Sequence, residues 1–172
     1  MNLQSDDFEL FDVPRRFEQD RSALDARWKA LQREAHPDRF AAQGGAAQRV
    51  AMQWSVRINE AYQRLKDPLR RAAYLCELHG APIRAEDNTA MPAAFLMQQM
   101  EWREALEEAG STAELDALDD DVAQSQAAAI ARCRQLIDEK ADYAAAAQEV
   151  RALMFIARFG QDIEARRDQL GQ

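Results

Sequence analysis

Apolar positions recur at helical spacing along most of the chain, and no stretch shows the period-two alternation of a half-buried strand. Residues 8–13 (FELFDV) form a short apolar run ended by Pro14. Ser22 and Asp25 are spaced like a capping box with a shortened acid, which marks a helix start. Leu24, Trp28, Leu31 and Ala35 then lie on one stripe, and Pro37 ends the helix because the residue before a proline is pushed out of the α region. Beyond Gly44-Gly45, the positions Val50, Trp54, Ile58, Ala61 and Leu65 share a second apolar face. Two amphipathic helices joined by a short loop pack as an antiparallel hairpin. Asp67-Pro68 restarts the chain, Asp as N-cap and Pro at the first helical position, and the helix LRRAAYLCELH stops at Gly80.

Residues 81–92 (APIRAEDNTAMP) break the pattern with two prolines and a polar cluster, and the domain boundary is placed there. Three helical stretches follow. The first runs from about Ala93 to Ala109 and stops at Gly110. Ser111 and Glu114 form a capping box for the second, which continues through QAAAIARCRQLI. A break near residues 138–142 precedes the third, through EVRALMFIARF. The alanine runs at 127–129 and 144–147 favour helix and close helix packing. The expected fold is all-α, with an N-terminal hairpin domain over residues 1–80, a linker over 81–92 and a three-helix bundle over 93–172. A short linker poor in Gly and Ser argues for rigid packing between the two.

Composition narrows the function more than the fold. The 172 residues are 47% hydrophobic and 30% charged, with six glycines and five prolines, which suits a packed core and short connections. No apolar run reaches the roughly 20 residues of a membrane span. The acidic N-terminus MNLQSDDFELFDV lacks the basic start and apolar segment of a secretory signal, so a cytoplasmic protein without membrane attachment is expected. The net charge of −8 is uneven. Residues 1–80 hold 13 basic and 12 acidic side chains, residues 81–172 hold 9 and 18. Such an acidic chain lacks the basic footprint that nucleic acid demands. Cys76 and Cys133 form no C-x-x-C, and His79 follows Cys76 without further ligands nearby, so both thiols read as small core residues and neither metal nor cofactor is expected. No phosphate-binding glycine loop, G-x-S-x-G or H-E-x-x-H occurs, which leaves an enzyme reading without support.

The loop between the two hairpin helices reads HPDRF (36–40). On residue types alone it is as consistent with a turn as with a working motif, since Pro fixes φ and Asp favours turns. Downstream, INEAYQRLKDPLRRAAYL (58–75) carries I-N-E-A-Y-x-x-L, then D-P, then R-x-x-Y, in register with HPD. Together these resemble a J-domain, the module by which co-chaperones stimulate ATP hydrolysis in DnaK-type chaperones. A J-domain at the N-terminus in the HPDRF form, DPLRRAAYLCELHG, and AAFLMQQMEWREALEE opening a helical second domain resemble the HscB family, the J-type co-chaperones of iron–sulfur cluster assembly. No Gly/Phe-rich segment or zinc-binding cysteine pairs follow, unlike general-purpose J-proteins, and no cysteine-rich extension precedes, so a bacterial-type member is implied. Ala35 departs from the large residue, often Tyr, that commonly precedes HPD, and Arg39 stands where Lys is frequent.

On a helical wheel Lys29 and Arg33 oppose the stripe of Leu24, Trp28, Leu31 and Ala35, with Arg27 on the flank. A solvated face is the plain reading. The resemblance implies that this basic face docks on an acidic surface of an HscA/DnaK-type chaperone. Asp38 would pair with a chaperone arginine, His36 and Pro37 would shape the loop, and Arg39 would keep the charge.

In AAFLMQQMEWREALEE, Phe95, Trp102 and Leu106 fall within about 40° of one another beside Gln99, a core face. Leu96, Met97 and Met100 fall roughly opposite, with Glu104 among them and Glu101 and Glu108 at the border. Both stripes can be core, but a small bundle has little room to bury two faces, and methionine suits adaptable binding surfaces. The resemblance implies that Leu96, Met97 and Met100, ringed by Glu101, Arg103, Glu104 and Glu108 and joined at the edge by Phe155, hold an IscU-type iron–sulfur scaffold protein. The expected function is a monomeric, non-catalytic co-chaperone that brings this scaffold to the chaperone. A J-protein with a different client and a helical structural protein with an incidental HPD are the alternatives.

Overall fold

The computed structural model describes residues 2–171, which form helices α1 (Asp7–Phe11), α2 (Arg21–Ala35), α3 (Gly45–Lys66), α4 (Pro68–Leu78), α5 (Ala93–Glu108), α6 (Thr112–Arg134) and α7 (Tyr143–Leu170). A 3-10 segment, Pro37–Gln43, joins α2 to α3, and a π turn, Gln135–Glu139, follows α6. No strand occurs among the described residues. None of these helices is long and apolar enough to cross a membrane.

The first compact unit runs to Tyr74 and is built on the α2–α3 hairpin. Leu24 and Leu31 of α2 bury against Ile58, Ala61 and Leu65 of α3, as the apolar stripes require. Trp28 is half-buried and stacks on Tyr62 at 4.6 Å between ring centres, and Phe11 stacks on the same tyrosine at 6.5 Å. Val50, expected in the α3 stripe, is instead 51% exposed, because α3 continues past the end of α2 and nothing large covers it there. The N-cap of α2 is Asp20, whose carboxylate accepts from the amides of Ser22 and Ala23, rather than Ser22. Asp25, expected as the acid of that cap, accepts the Tyr62 hydroxyl at 2.6 Å and pairs with Arg21.

The short α1 is pinned from below. Asp7 is wholly buried between the guanidiniums of Arg57 (2.8 Å) and Arg64 (3.0 Å), and its amide donates to the Tyr74 hydroxyl at 3.0 Å. Arg71 is buried against the Phe17 ring and donates to the carbonyls of Phe17 and Leu65.

The second compact unit begins at Leu75, inside α4, whereas the sequence pattern placed the join at 81–92. The reason is side-chain anchoring. Buried Arg151 of α7 donates to the carbonyls of Ile83 and Ala90, each at 3.0 Å, and Ile83 itself is buried. Gly80 (φ 80°) closes α4 with a Schellman pair, Ala81 N–H to Cys76 O and Gly80 N–H to Glu77 O. The three-helix bundle buries Phe95 and Trp102 of α5, Leu115, Leu118 and Val122 of α6, and Val150, Leu153, Ile156, Phe159 and Ile163 of α7. Ser111 caps α6 as expected, accepting from Glu114 N–H, while the Glu114 carboxylate reaches back to the amide of Gly110.

Candidate interaction surfaces

His36 ends α2 in an extended conformation (φ −62°, ψ 129°) and at once caps the 3-10 segment, its Nδ1 accepting from the Asp38 amide at 3.2 Å. The Asp38 carboxylate also comes within 3.6 Å of that nitrogen. Arg39 N–H donates to His36 O at 3.0 Å, and its guanidinium to Arg33 O at 3.3 Å. Backbone and imidazole thus hold the turn, and Pro37 sets its start. The Asp38 side chain stays 92% exposed, a carboxylate presented at the tip with no covering group.

Lys29, Arg33 and Arg39 are exposed on the outer side of α2 and the loop, while Arg27 is half-buried with its Nε enclosed and without an acceptor. Gln32, Arg33, His36 and Arg39 line one shallow recess, and Trp28, Lys29, Gln32 and Arg33 line the next, so the expected basic residues share a continuous face. Behind the loop lies a cavity of about 480 Å³ walled by Leu31, Ala35, Phe40, Val50, Trp54 and Ile58. The small Ala35 side chain leaves this space, and hydrogen bonds do the buttressing that packing does not. The downstream motif residues serve the scaffold. Ile58, Ala61 and Leu65 are core, Tyr62 bonds Asp25, Arg71 holds the Phe17 carbonyl and Tyr74 holds the amide of Asp7.

On α5, Leu96, Met97 and Met100 are 52%, 65% and 70% exposed, so the second apolar stripe faces outward and is not core. Glu101, Arg103, Glu104 and Glu108 are exposed around it. Phe155, expected at the patch edge, is only 8% exposed. It packs edge-on to Phe95 (5.7 Å) and stacks on Phe159 (5.8 Å), with the Arg103 guanidinium 5.4 Å above its ring. It belongs to the bundle core, as its α7 neighbours Leu153 and Ile156 do.

Cys76 and Cys133 are fully buried free thiols, pushed up by burial to about 11 and about 12. His79 stacks on Tyr143 at 4.0 Å with its Nδ1 2.8 Å from Leu75 O, so its spacing from Cys76 reflects packing. Among the described residues no cluster of three or more His, Cys, Asp or Glu is arranged to hold a metal. Sequence reasoning missed Asp7, Arg151 and the reciprocal bonds between Gln32 and Ser55. Each is a polar residue whose partner lies far along the chain.

Comparison with known proteins agrees with this geometry. Residues 91–164 match the family model described as the HSCB C-terminal oligomerisation domain. A co-chaperone protein HscB homolog of Burkholderia multivorans is 49% identical over 99% of this chain and 98% of its own length. The solved structure of chaperone HscB from Vibrio cholerae superposes with a TM-score of 0.80 at 39% identity, covering 96% of this chain and 99% of that one. The human co-chaperone protein HscB superposes with a TM-score of 0.88 at 28% identity, covering 97% of this chain and 84% of the other.

Proposed function

The chain belongs to the HscB family of co-chaperones, and from that premise we propose that it stimulates the ATPase of an HscA/DnaK-type chaperone and delivers an IscU-type scaffold protein to it during iron–sulfur cluster assembly. The observation that carries the reading is the exposed Asp38 carboxylate on a turn fixed by His36 and Pro37, beside the basic face of Lys29, Arg33 and Arg39. The basic side chains steer encounter with an acidic surface and set orientation. Asp38 then forms a charge-assisted contact with a chaperone arginine. Hydrolysis is the partner's chemistry. This chain accelerates it by binding the hydrolysing conformation more tightly than the others, since a ligand shifts an equilibrium only by its differential affinity.

Leu96, Met97 and Met100 supply the client surface, an apolar patch with carboxylates around it that excludes water at its centre and selects by charge at its rim. The cluster travels as cargo on the scaffold. The decisive assay is steady-state ATPase of the chaperone with this protein, with and without the scaffold, wild type beside His36→Gln. Stimulation by the wild type, none by the variant, and synergy with scaffold are expected. Stimulation without synergy points to a different client, and no stimulation overturns the co-chaperone reading. The same exposed patch, in a domain whose family description names oligomerisation, supports self-association as a second reading. Sedimentation velocity at assay concentration separates it, with a monomer expected.

A further inference from the structure

Across the α2–α3 seam Leu24 and Leu31 pack against Ile58, Ala61 and Leu65, and Trp28 stacks on Tyr62. Burial of this kind is non-directional, so it fixes that the helices touch and fixes less well how far one slides along the other. Two polar bridges cross the seam. At the lower end Tyr62 donates to Asp25 at 2.6 Å. At the upper end Ser55 Oγ donates to Gln32 Oε1 at 2.9 Å while Gln32 Nε2 donates to Ser55 O at 3.3 Å. Asp25 and Gln32 are seven residues apart on α2, and Ser55 and Tyr62 are seven apart on α3. One antiparallel register satisfies both, and a slip of a single turn breaks both together, because two turns of helix nearly repeat after seven residues. The upper bridge sits beside the cavity behind the loop, one residue from Leu31 and Trp54 in its wall. Gln32 also belongs to the recess shared with Arg33, His36 and Arg39.

We propose that Gln32 is a positioning residue: with Ser55, and with Asp25–Tyr62 two turns below, it locks the register of the hairpin and so holds the basic face and the HPD tip in the arrangement the chaperone reads. The functional half of this inference rests on the co-chaperone reading above. A slip of one turn displaces the tip by about 5.4 Å relative to α3, enough to separate Asp38 from any partner it meets while α2 stays docked. A solitary polar pair in an apolar seam has this effect elsewhere, where it selects one register among several of similar stability.

The test uses the full chain with Gln32→Leu, Ser55→Ala and the exchange Gln32→Ser with Ser55→Gln. In the chaperone ATPase assay each single variant raises the half-saturating concentration roughly tenfold, equivalent to about 1.4 kcal/mol. The exchange, which can remake a bond across the same gap, restores most of that loss. A merely structural role would lower the unfolding midpoint and leave the half-saturating concentration of the folded protein where it was. In parallel, spin labels on Ala26→Cys and Asn59→Cys, both exposed sites, report the register in the free protein. The two natural thiols are buried and stay unlabelled. Gln32→Leu broadens or shifts the distance distribution by about 5 Å. Wild-type stimulation with unchanged half-saturation in the folded single variants overturns the positioning role. An unchanged distance distribution overturns the lock itself, whatever the ATPase does, whereas a wild type that stimulates nothing overturns the co-chaperone reading and leaves the distances to decide the lock.

Discussion

The Arg103 guanidinium lies 5.4 Å above the ring of Phe155, which is itself 8% exposed and packed between Phe95 and Phe159. Phe155 is therefore a core residue of the bundle, and truncating it damages the bundle before it tests binding. Phe155→Ala is expected to destabilise the protein by roughly 3–5 kcal/mol. Leu96→Ala, Met97→Ala and Met100→Ala, all at exposed positions, are expected to change stability by no more than about 0.5 kcal/mol each. Urea denaturation of the four variants checks the contrast. Scaffold binding is then tested with the Leu96 and Met100 variants alone.

Asp7 has no exposed surface and faces two arginines, so removing its carboxylate strands cationic charge beside a buried seam. Asp7→Ala is expected to cost about 3 kcal/mol, the scale for breaking one side of a buried pair. Chemical unfolding followed by tryptophan fluorescence measures it. A loss under about 1 kcal/mol shows that water reaches Arg57 and Arg64 and that the pair is not buried in any energetic sense.

Several groups make stability depend on pH, among them Tyr74 and the two buried thiols, all raised above their ordinary values mainly by burial. Burial acts to raise Asp6, but the Glu9 amide and the Arg15 guanidinium more than offset it and hold the carboxyl below its ordinary value of 3.8. The Tyr62 hydroxyl, then Arg21, lower Asp25 in the same direction, and Asp25 in turn raises Tyr62 above its ordinary 10.0. A depressed carboxyl contributes stability that is present above its unfolded value and lost as pH falls through the folded one. A raised tyrosine contributes stability that is present below its unfolded value and lost as pH rises through the folded one. Stability is thus expected to fall below about pH 4 and, because the buried thiols are raised as well as the tyrosine, again above about pH 9. Tyr62→Phe should lessen the alkaline limb without abolishing it, since Tyr74 and the two buried thiols remain, and Asp25→Asn should lessen the acid limb, in unfolding midpoints measured across pH.

The thiols of Cys76 and Cys133, pushed up to about 11 and about 12 and without exposed surface, hold almost no thiolate near pH 8. Neither is expected to react with an aromatic disulfide reagent in the native protein, and both should react in guanidinium chloride. Fast labelling of one thiol under native conditions would reveal local opening of α4 or of the end of α6.

The helices were legible because stripes such as Leu24–Leu31 and Ile58–Leu65 announce themselves by period, and the loop because HPD and the downstream motif stand in register. The outward stripe of Leu96, Met97 and Met100 was legible for the same reason, as a second period on one helix. Long-range polar pairing left no periodic trace. Asp25 had the spacing of a cap and became the partner of Tyr62, 37 residues on. Arg151 looked like one charge among many and fastens two backbone carbonyls more than 60 residues upstream. Val50 obeyed the period of α3, and what exposed it was the end of α2, which stops short of it.

Arg151 has a further consequence for the stretch it spans. Its guanidinium grips the chain at Ile83 and at Ala90, and between those points Arg84 (φ 48°) and Asp87 close a small turn of their own. Both ends of residues 84–89 are thus fastened whatever the length of chain between them. Lengthening a flexible loop with fixed ends costs little, about 0.6 kcal/mol for each doubling. The stretch is a natural port for added sequence, where a tag, a reporter or an evolutionary insertion can enter without disturbing the helices on either side.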